Sequence, residues 1–163
     1  MFEEITKEFI REHNFSASFP TLKKTSQGFK LYPGGKNLPP SPDVLQVELR
    51  KKFSEIMATM FNSDYVKVES QCYISTAAMR KYLNGGRPIT YFAVAKICVG
   101  AHLPLETACE LFKLCGHILS PTDFLLDAII CNTINCEESI EDFYDTTKRF
   151  GFTDYWKKWD KLV

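Results

Sequence analysis

The stretch from Cys72 to Arg87, Cys-Tyr-Ile-Ser-Thr-Ala-Ala-Met-Arg-Lys-Tyr-Leu-Asn-Gly-Gly-Arg, leaves the chain few ways to fold. Ser75 is placed as a helix N-cap, because its hydroxyl can accept a free amide at a helix start. Asn84-Gly85 is a stop, since both residues tolerate the left-handed backbone at a helix C-cap. The helix between them has only about two and a half turns, at 3.6 residues per turn. Helical spacing puts Met79, Tyr82 and Leu83 on its inner side, and Thr76, Ala77, Arg80 and Lys81 on its outer side. A short capped helix with small residues and two cations outside suits insertion into a DNA groove.

Upstream, Ser63 to Gln71 offers a partner helix that Asp64 can cap, with Val68 and Cys72 on one side and Ile74 as an apolar plug in the turn. Helix, short turn, short helix and Asn-Gly together resemble the helix-turn-helix of lambda-repressor-like bacterial and phage regulators. The resemblance runs over roughly residues 45–150. Arg87-Pro88-Ile89-Thr90 is similar to that family's basic loop and next N-cap, Tyr91 to Gly100 to its fourth helix, and Leu105 to Cys115 to its fifth. The run Leu-x-x-Ala-x-x-Leu-x-x-x-x-Gly-x-x-Leu-Ser, here Leu105 to Ser120, resembles a layout in which further short helices follow. Two residues depart from the pattern. Glu69 stands where the family has a small residue between the two helices, and Tyr73 stands where it has Gly in the turn. A side chain at that turn must avoid or tolerate positive φ. Either the turn differs by a residue, or the motif has drifted from DNA reading.

The composition, 45% hydrophobic and 25% charged over 163 residues, is that of a soluble globular chain with room for a sizeable core. No apolar run approaches the roughly 18 residues of a membrane span. Met1-Phe2-Glu3-Glu4 is acidic and has no signal-peptide core, so the cytoplasm is the expected compartment. Cys72, Cys98, Cys109, Cys115, Cys131 and Cys136 form no Cys-x-x-Cys pair and mostly fall at apolar helical positions. They fit reduced core thiols; the alternative is a metal site of Cys109, Cys115 and His117. No Gly-rich phosphate loop, nucleophile elbow or paired His ligands are found, so neither enzyme activity nor a cofactor or metal is expected. His117 follows Gly116 at a predicted helix end, where a cation favours the dipole.

Along the chain, Phe2, Ile5 and Phe9 mark an amphipathic helix. Residues 14–42 hold five of the eight prolines, and Phe15 to Phe19 and Phe29 to Tyr32 alternate with period two, which predicts a small β-hairpin and a Pro-rich linker. Between His13 and Asp43 every charge is a lysine: Lys23, Lys24, Lys30 and Lys36. Among aromatics these suit nucleic-acid contact, or the aromatics pack on the core and the lysines are solvated. Asp43 then caps a helix with Val44, Val47, Phe53, Ile56, Met57 and Met60 as its apolar stripe. Ser120-Pro121-Thr122-Asp123 starts a helix from Phe124 to Asn132. Ser139 caps another from Ile140 to Phe150, with a capping box weakened by the short side chain of Asp142. Trp156 and Trp159 either seal the end of the bundle or anchor a partner. Residues 1–60 carry a net +2, residues 61–104 +3 and residues 105–163 −5. That asymmetry fits a chain offering one face to a polyanion, or simply acidic, solvated C-terminal helices.

The expected fold is mainly α. Residues 1–42 form an N-terminal helix and basic hairpin arm, 43–118 a lambda-repressor-like helix-turn-helix domain, and 119–163 a C-terminal helical extension. The expected function is a DNA-binding transcriptional regulator, acting as a homodimer on double-stranded DNA. Ser75 and Thr76 would touch phosphate and base edge, Arg80 would bridge guanine acceptors, and Ala77 would meet a thymine methyl. Lys67, Lys81 and Arg87 would hold phosphates, with Lys23, Lys24, Lys30 and Lys36 as arm contacts. The alternative is a protein-binding module on the same fold, such as a mobile-element inhibitor of a nucleic-acid-targeting defence complex of the anti-CRISPR type. Its support is the sparse set of base readers, with Ala77 and Ala78 on the reading face, and the departures at Glu69 and Tyr73.

Overall fold

A computed structural model describes residues 41–150. The expected amphipathic helix, the expected β-hairpin arm with its four lysines, and the tryptophan tail lie outside the described residues. Seven helices make up the rest, with no strand among the described residues: α1 Asp43–Met60, α2 Tyr65–Cys72, α3 Thr76–Asn84, α4 Tyr91–Gly100, α5 Leu105–Leu114, α6 Leu125–Asn135 and α7 Ile140–Arg149. None is long and apolar enough to cross a membrane.

The architecture is set by α4. Nine of its ten residues are buried, because α2, α5, α6 and α7 all pack around it. Where α2 crosses its end, there is no room for a side chain. A Cβ on Gly100 would lie 2.9 Å from Cys72 Cα and collide with Gln71 O and Cys72 Sγ. One apolar core runs from Leu49 in α1 through α4 to Phe143 in α7, without a break at residue 118. The C-terminal helices thus share the core of the preceding ones.

Three expected helix starts take different forms. Asp43 is the first helical residue of α1 and caps nothing; Pro42 is the N-cap, and its carbonyl accepts from Gln46 N at 3.0 Å. The α1 stripe is also rotated from the expected one. Gln46, Leu49, Phe53, Ile56 and Met57 face inward, while Val44, Val47 and Met60 are 75%, 41% and 50% exposed. A buried glutamine, invisible to an apolar pattern, decides that phase. Pro121 does not open α6. Residues 120–123 form a turn in which Asp123 N and Phe124 N both donate to Ser120 O, and the helix begins at Leu125. The capping box of α7 forms on both sides despite the short aspartate: Asp142 N donates to Ser139 Oγ at 3.1 Å, and Ser139 N to Asp142 Oδ2 at 3.2 Å.

Two buried polar groups are built into the core. Asp127 of α6 is fully buried and accepts from Tyr91 OH at 2.5 Å and Ser120 N at 2.9 Å. His117 Nε2 lies 2.6 Å from Asp127 Oδ2 and must carry the proton if that carboxylate is ionised. His117 therefore turns inward onto a carboxylate, framed by the rings of Tyr91, Phe112 and Phe124, rather than serving the α5 dipole. Burial, with the Asp127 carboxylate beside it, raises the Tyr91 phenol well above its ordinary range, so it stays a donor. The second group is Lys96, 2% exposed in α4, whose Nζ donates to Tyr73 O at 3.0 Å.

All six cysteines are free thiols. Cys72, Cys98 and Cys115 are buried, Cys109 and Cys131 are half-buried, and Cys136 is exposed. No cluster of three or more His, Cys, Asp or Glu with metal-site geometry occurs among the described residues. Burial pushes the Cys72, Cys115 and Cys131 thiols up to about 12 and raises Cys98 well above its ordinary value. At pH 8 a thiol of that kind is thiolate in roughly one molecule in ten thousand. An alkylating reagent should therefore modify Cys136 first in the native protein, and Cys72, Cys98 and Cys115 only after unfolding. Peptide mapping that finds Cys72 labelled as fast as Cys136 would contradict this packing.

Candidate nucleic-acid interface

The α2–α3 pair is set up by its own sequence. Asp64 accepts from Val66 N at 2.9 Å and caps α2. Ser75 Oγ accepts from Ala78 N at 3.1 Å and caps α3. Gly85, at φ +81°, ends α3 in the left-handed conformation that a Cβ disfavours. Val68, Cys72, Ile74, Ala78, Met79 and Tyr82 are buried. Ala78 consequently does not share the reading face with Ala77.

The turn keeps the length of a glycine turn although a tyrosine stands in it. Tyr73 adopts φ 55°, ψ 38°, the left-handed conformation. For a non-glycine residue that costs roughly 1–2 kcal/mol. Three contacts hold it there: its N–H donates to Glu69 O at 3.1 Å, its carbonyl accepts from Lys96, and its ring meets Tyr144 of α7 edge-on at 6.2 Å. Aromatic pairs of this geometry contribute about 0.5–1.5 kcal/mol beyond burial.

Glu69 does not sit between the helices. It is exposed, and its Oε1 accepts from Thr76 N at 2.8 Å and Thr76 Oγ1 at 3.1 Å. The carboxylate lies over the positive end of the α3 dipole, where charge of that sign is favourable. Ser75 and Thr76 thus both spend their hydroxyls inside the protein, and the position expected to meet a phosphate already holds an anion.

Further along α3, Ala77, Arg80, Lys81 and Asn84 are exposed. The Arg80 guanidinium stands 5.0 Å from the centre of the Tyr65 ring, which orients it across the α2–α3 pair. Lys67 is exposed on α2. Arg87 is half-buried and bonded to the Tyr82 phenol, which also bonds Thr90; desolvation raises that phenol, and Arg87 lowers it less. Of the five cations between residues 61 and 104, Lys96 is inside the core, which leaves four for the surface.

The loop carrying Arg87 is pinned by Gln46. This buried side chain takes both backbone groups of Ile89: its Oε1 accepts from Ile89 N at 2.9 Å, and its Nε2 donates to Ile89 O at 3.0 Å and Ser41 Oγ at 3.1 Å. Sequence reading passed over Gln46, Lys96 and Asp127. Only Lys96 left a signal, as the one charge in the otherwise apolar run Tyr91–Gly100.

Comparison with known proteins finds no matching family model, no matching curated protein and no matching solved structure.

Gln46→Leu would leave two buried backbone groups of Ile89 without their partner. At about 1–3 kcal/mol per unsatisfied group, partly relaxed, the loss should be about 2–4 kcal/mol in denaturant unfolding. A loss below about 0.5 kcal/mol, the range of an ordinary surface change, would show that the pairing does not hold the loop.

Proposed function

We propose that the protein is a DNA-binding regulator of the lambda-repressor-like helix-turn-helix kind, with α3 as its reading helix. The observation that carries this reading is the acid-free outer face of α3, where Ala77, Arg80, Lys81 and Asn84 are exposed together. The helix lengths and the left-handed residue in a three-residue turn support it as well. Arg80, steadied on Tyr65, is the candidate for guanine, because its planar fork can bridge two acceptors. Ala77 is placed for a thymine methyl. Lys67, Lys81 and Arg87 are the candidates for phosphate. Ser75 and Thr76 keep a role in positioning α3 rather than in contacting DNA. One short helix offers few base contacts, so two copies on a two-fold site are expected.

A second reading is favoured by Glu69. A carboxylate over the start of α3 repels the phosphate that a duplex would bring there, and Val66, 69% exposed on α2, offers an apolar contact nearby in sequence. In that reading the same surface binds a protein, as an inhibitor of a nucleic-acid-targeting defence complex would. A pull-down from the native host, with and without nuclease, separates the two.

Three phosphate-facing cations imply a log–log salt slope of about −3 on duplex DNA. Arg80→Ala should cost about 1–3 kcal/mol on the preferred site and relax preference at one base pair, whereas Lys81→Ala should weaken all sequences alike. No duplex binding at low salt, across a random-sequence selection, would sink the DNA reading.

A further inference from the structure

We infer that a cleft where the ends of α2 and α4 meet the start of α7 binds a small organic cation, a guanidinium on a short apolar stem, and that its occupant bears on the α2–α3 turn. The cleft has a volume of about 170 Å³. Gln71 lines it from the last turn of α2, Gly100 and His102 from the end of α4, and Ile140 and Glu141 from the first turn of α7. Tyr73, the left-handed residue of the α2–α3 turn, stands in its wall. Three of these side chains are uncommitted. Gln71, His102 and Glu141 are exposed, and none makes a side-chain hydrogen bond or ion pair among the described residues. Three polar side chains from three helix ends are thereby collected at one concave surface.

What these groups share is the capacity to accept a hydrogen bond. Glu141 brings a carboxylate, Gln71 an amide oxygen, and a neutral His102 imidazole one ring nitrogen. The backbone adds the same sign, because α2 and α4 both bring their carbonyl ends, the negative poles of their dipoles. The positive pole of α7 is already answered. Asp142 N donates to Ser139 Oγ at 3.1 Å, and Glu141 and Asp142 place two carboxylates in the first turn. Among the described residues no lysine or arginine lines the cleft. The ligand it favours is therefore a cation. Its volume is below the roughly 300 Å³ at which sites for drug-sized molecules begin, so the occupant is a small group. The acceptors stand on separate helix ends, so the fan of N–H donors on a guanidinium reaches more of them than a compact ammonium does, and it sheds water more easily. Ile140 and Gly100, both buried, give the stem an apolar wall. Contact with Tyr73 then adds a further hold on the turn that orients α3.

The site does not depend on what α3 reads, since Ala77, Arg80 and Lys81 are not among its lining residues. Its test uses the full isotope-labelled chain and n-butylguanidinium chloride, followed by amide NMR to about 20 mM, because so small a ligand binds with a Kd on the order of 1 mM. n-Butylurea, of nearly the same shape without the charge, is the control. Saturable shifts should gather at Gln71, Tyr73, Gly100 and Glu141 with the guanidinium and be absent with the urea. Glu141→Gln should weaken binding about three- to fivefold, as expected for an exposed ion pair, while Asp145→Asn, the same charge change one turn along α7, should leave it unaltered. Ser70→Tyr, at an exposed lining position, should fill the cleft and abolish binding, and it gives a second variant should Glu141→Gln not fold. Shifts that do not saturate, or that are equal with the urea, overturn the site. So do wild-type binding by Glu141→Gln or Ser70→Tyr, and equal effects of Glu141→Gln and Asp145→Asn, which would mark a general field of the acidic helices.

Discussion

Burying α4 on all sides is the constraint from which the rest follows. A helix enclosed by four others cannot carry a polar stripe, and Tyr91–Gly100 is apolar around its circumference apart from Lys96. Its two polar groups need internal partners, because an unpaired buried donor or charge costs several kcal/mol. Tyr91 finds Asp127 in α6, and Lys96 finds the carbonyl of Tyr73 between α2 and α3. These two bonds tie the central helix to opposite parts of the fold. Gly100 supplies the third condition by letting α2 cross without a Cβ between the backbones.

The same helix explains how a tyrosine can occupy a turn that favours glycine. The left-handed backbone at Tyr73 is strained, and the local bond from its N–H to Glu69 O is one contact among those that hold it. Further compensation comes from α4, through Lys96, and from α7, through the edge-on ring of Tyr144. The C-terminal helices are thereby coupled to the angle between α2 and α3. Whatever α3 touches, its orientation depends on residues more than sixty positions downstream as well as on its own caps.

Electrostatically, α3 is polarised along its length. Glu69 neutralises the amide end, and Arg50 and Lys81 lie along Gly85 and Gly86 at the carbonyl end. Both arrangements favour the helix itself, since each places charge against the opposite pole of the dipole. The Glu69 carboxylate is hydrogen-bonded twice at its site, by Thr76 N and Thr76 Oγ1.

The sequence alone determined the positions of α2 to α4, because caps at Asp64, Ser75 and Thr90 and the stop at Gly85 act through bonds only two or three residues long. It also determined the outer face of α3, since a helical period fixes which of its side chains share a side. Tertiary structure decided the rest. The phase of α1 turns on Gln46 meeting Ile89, forty-three residues away, so three apolar residues of the predicted stripe are exposed instead. The start of α6 moved past Pro121 because Ser120 forms a turn whose amide is held by Asp127. Glu69 and Thr76, expected as a misfit and a DNA contact, became partners across the turn. Arg50 reached Gly85 only because α1 packs on α3. Short-range hydrogen bonds and helical period are written into neighbouring residues; the pairing of a buried polar group, or the gathering of charges from separate helices, exists only once the helices have packed.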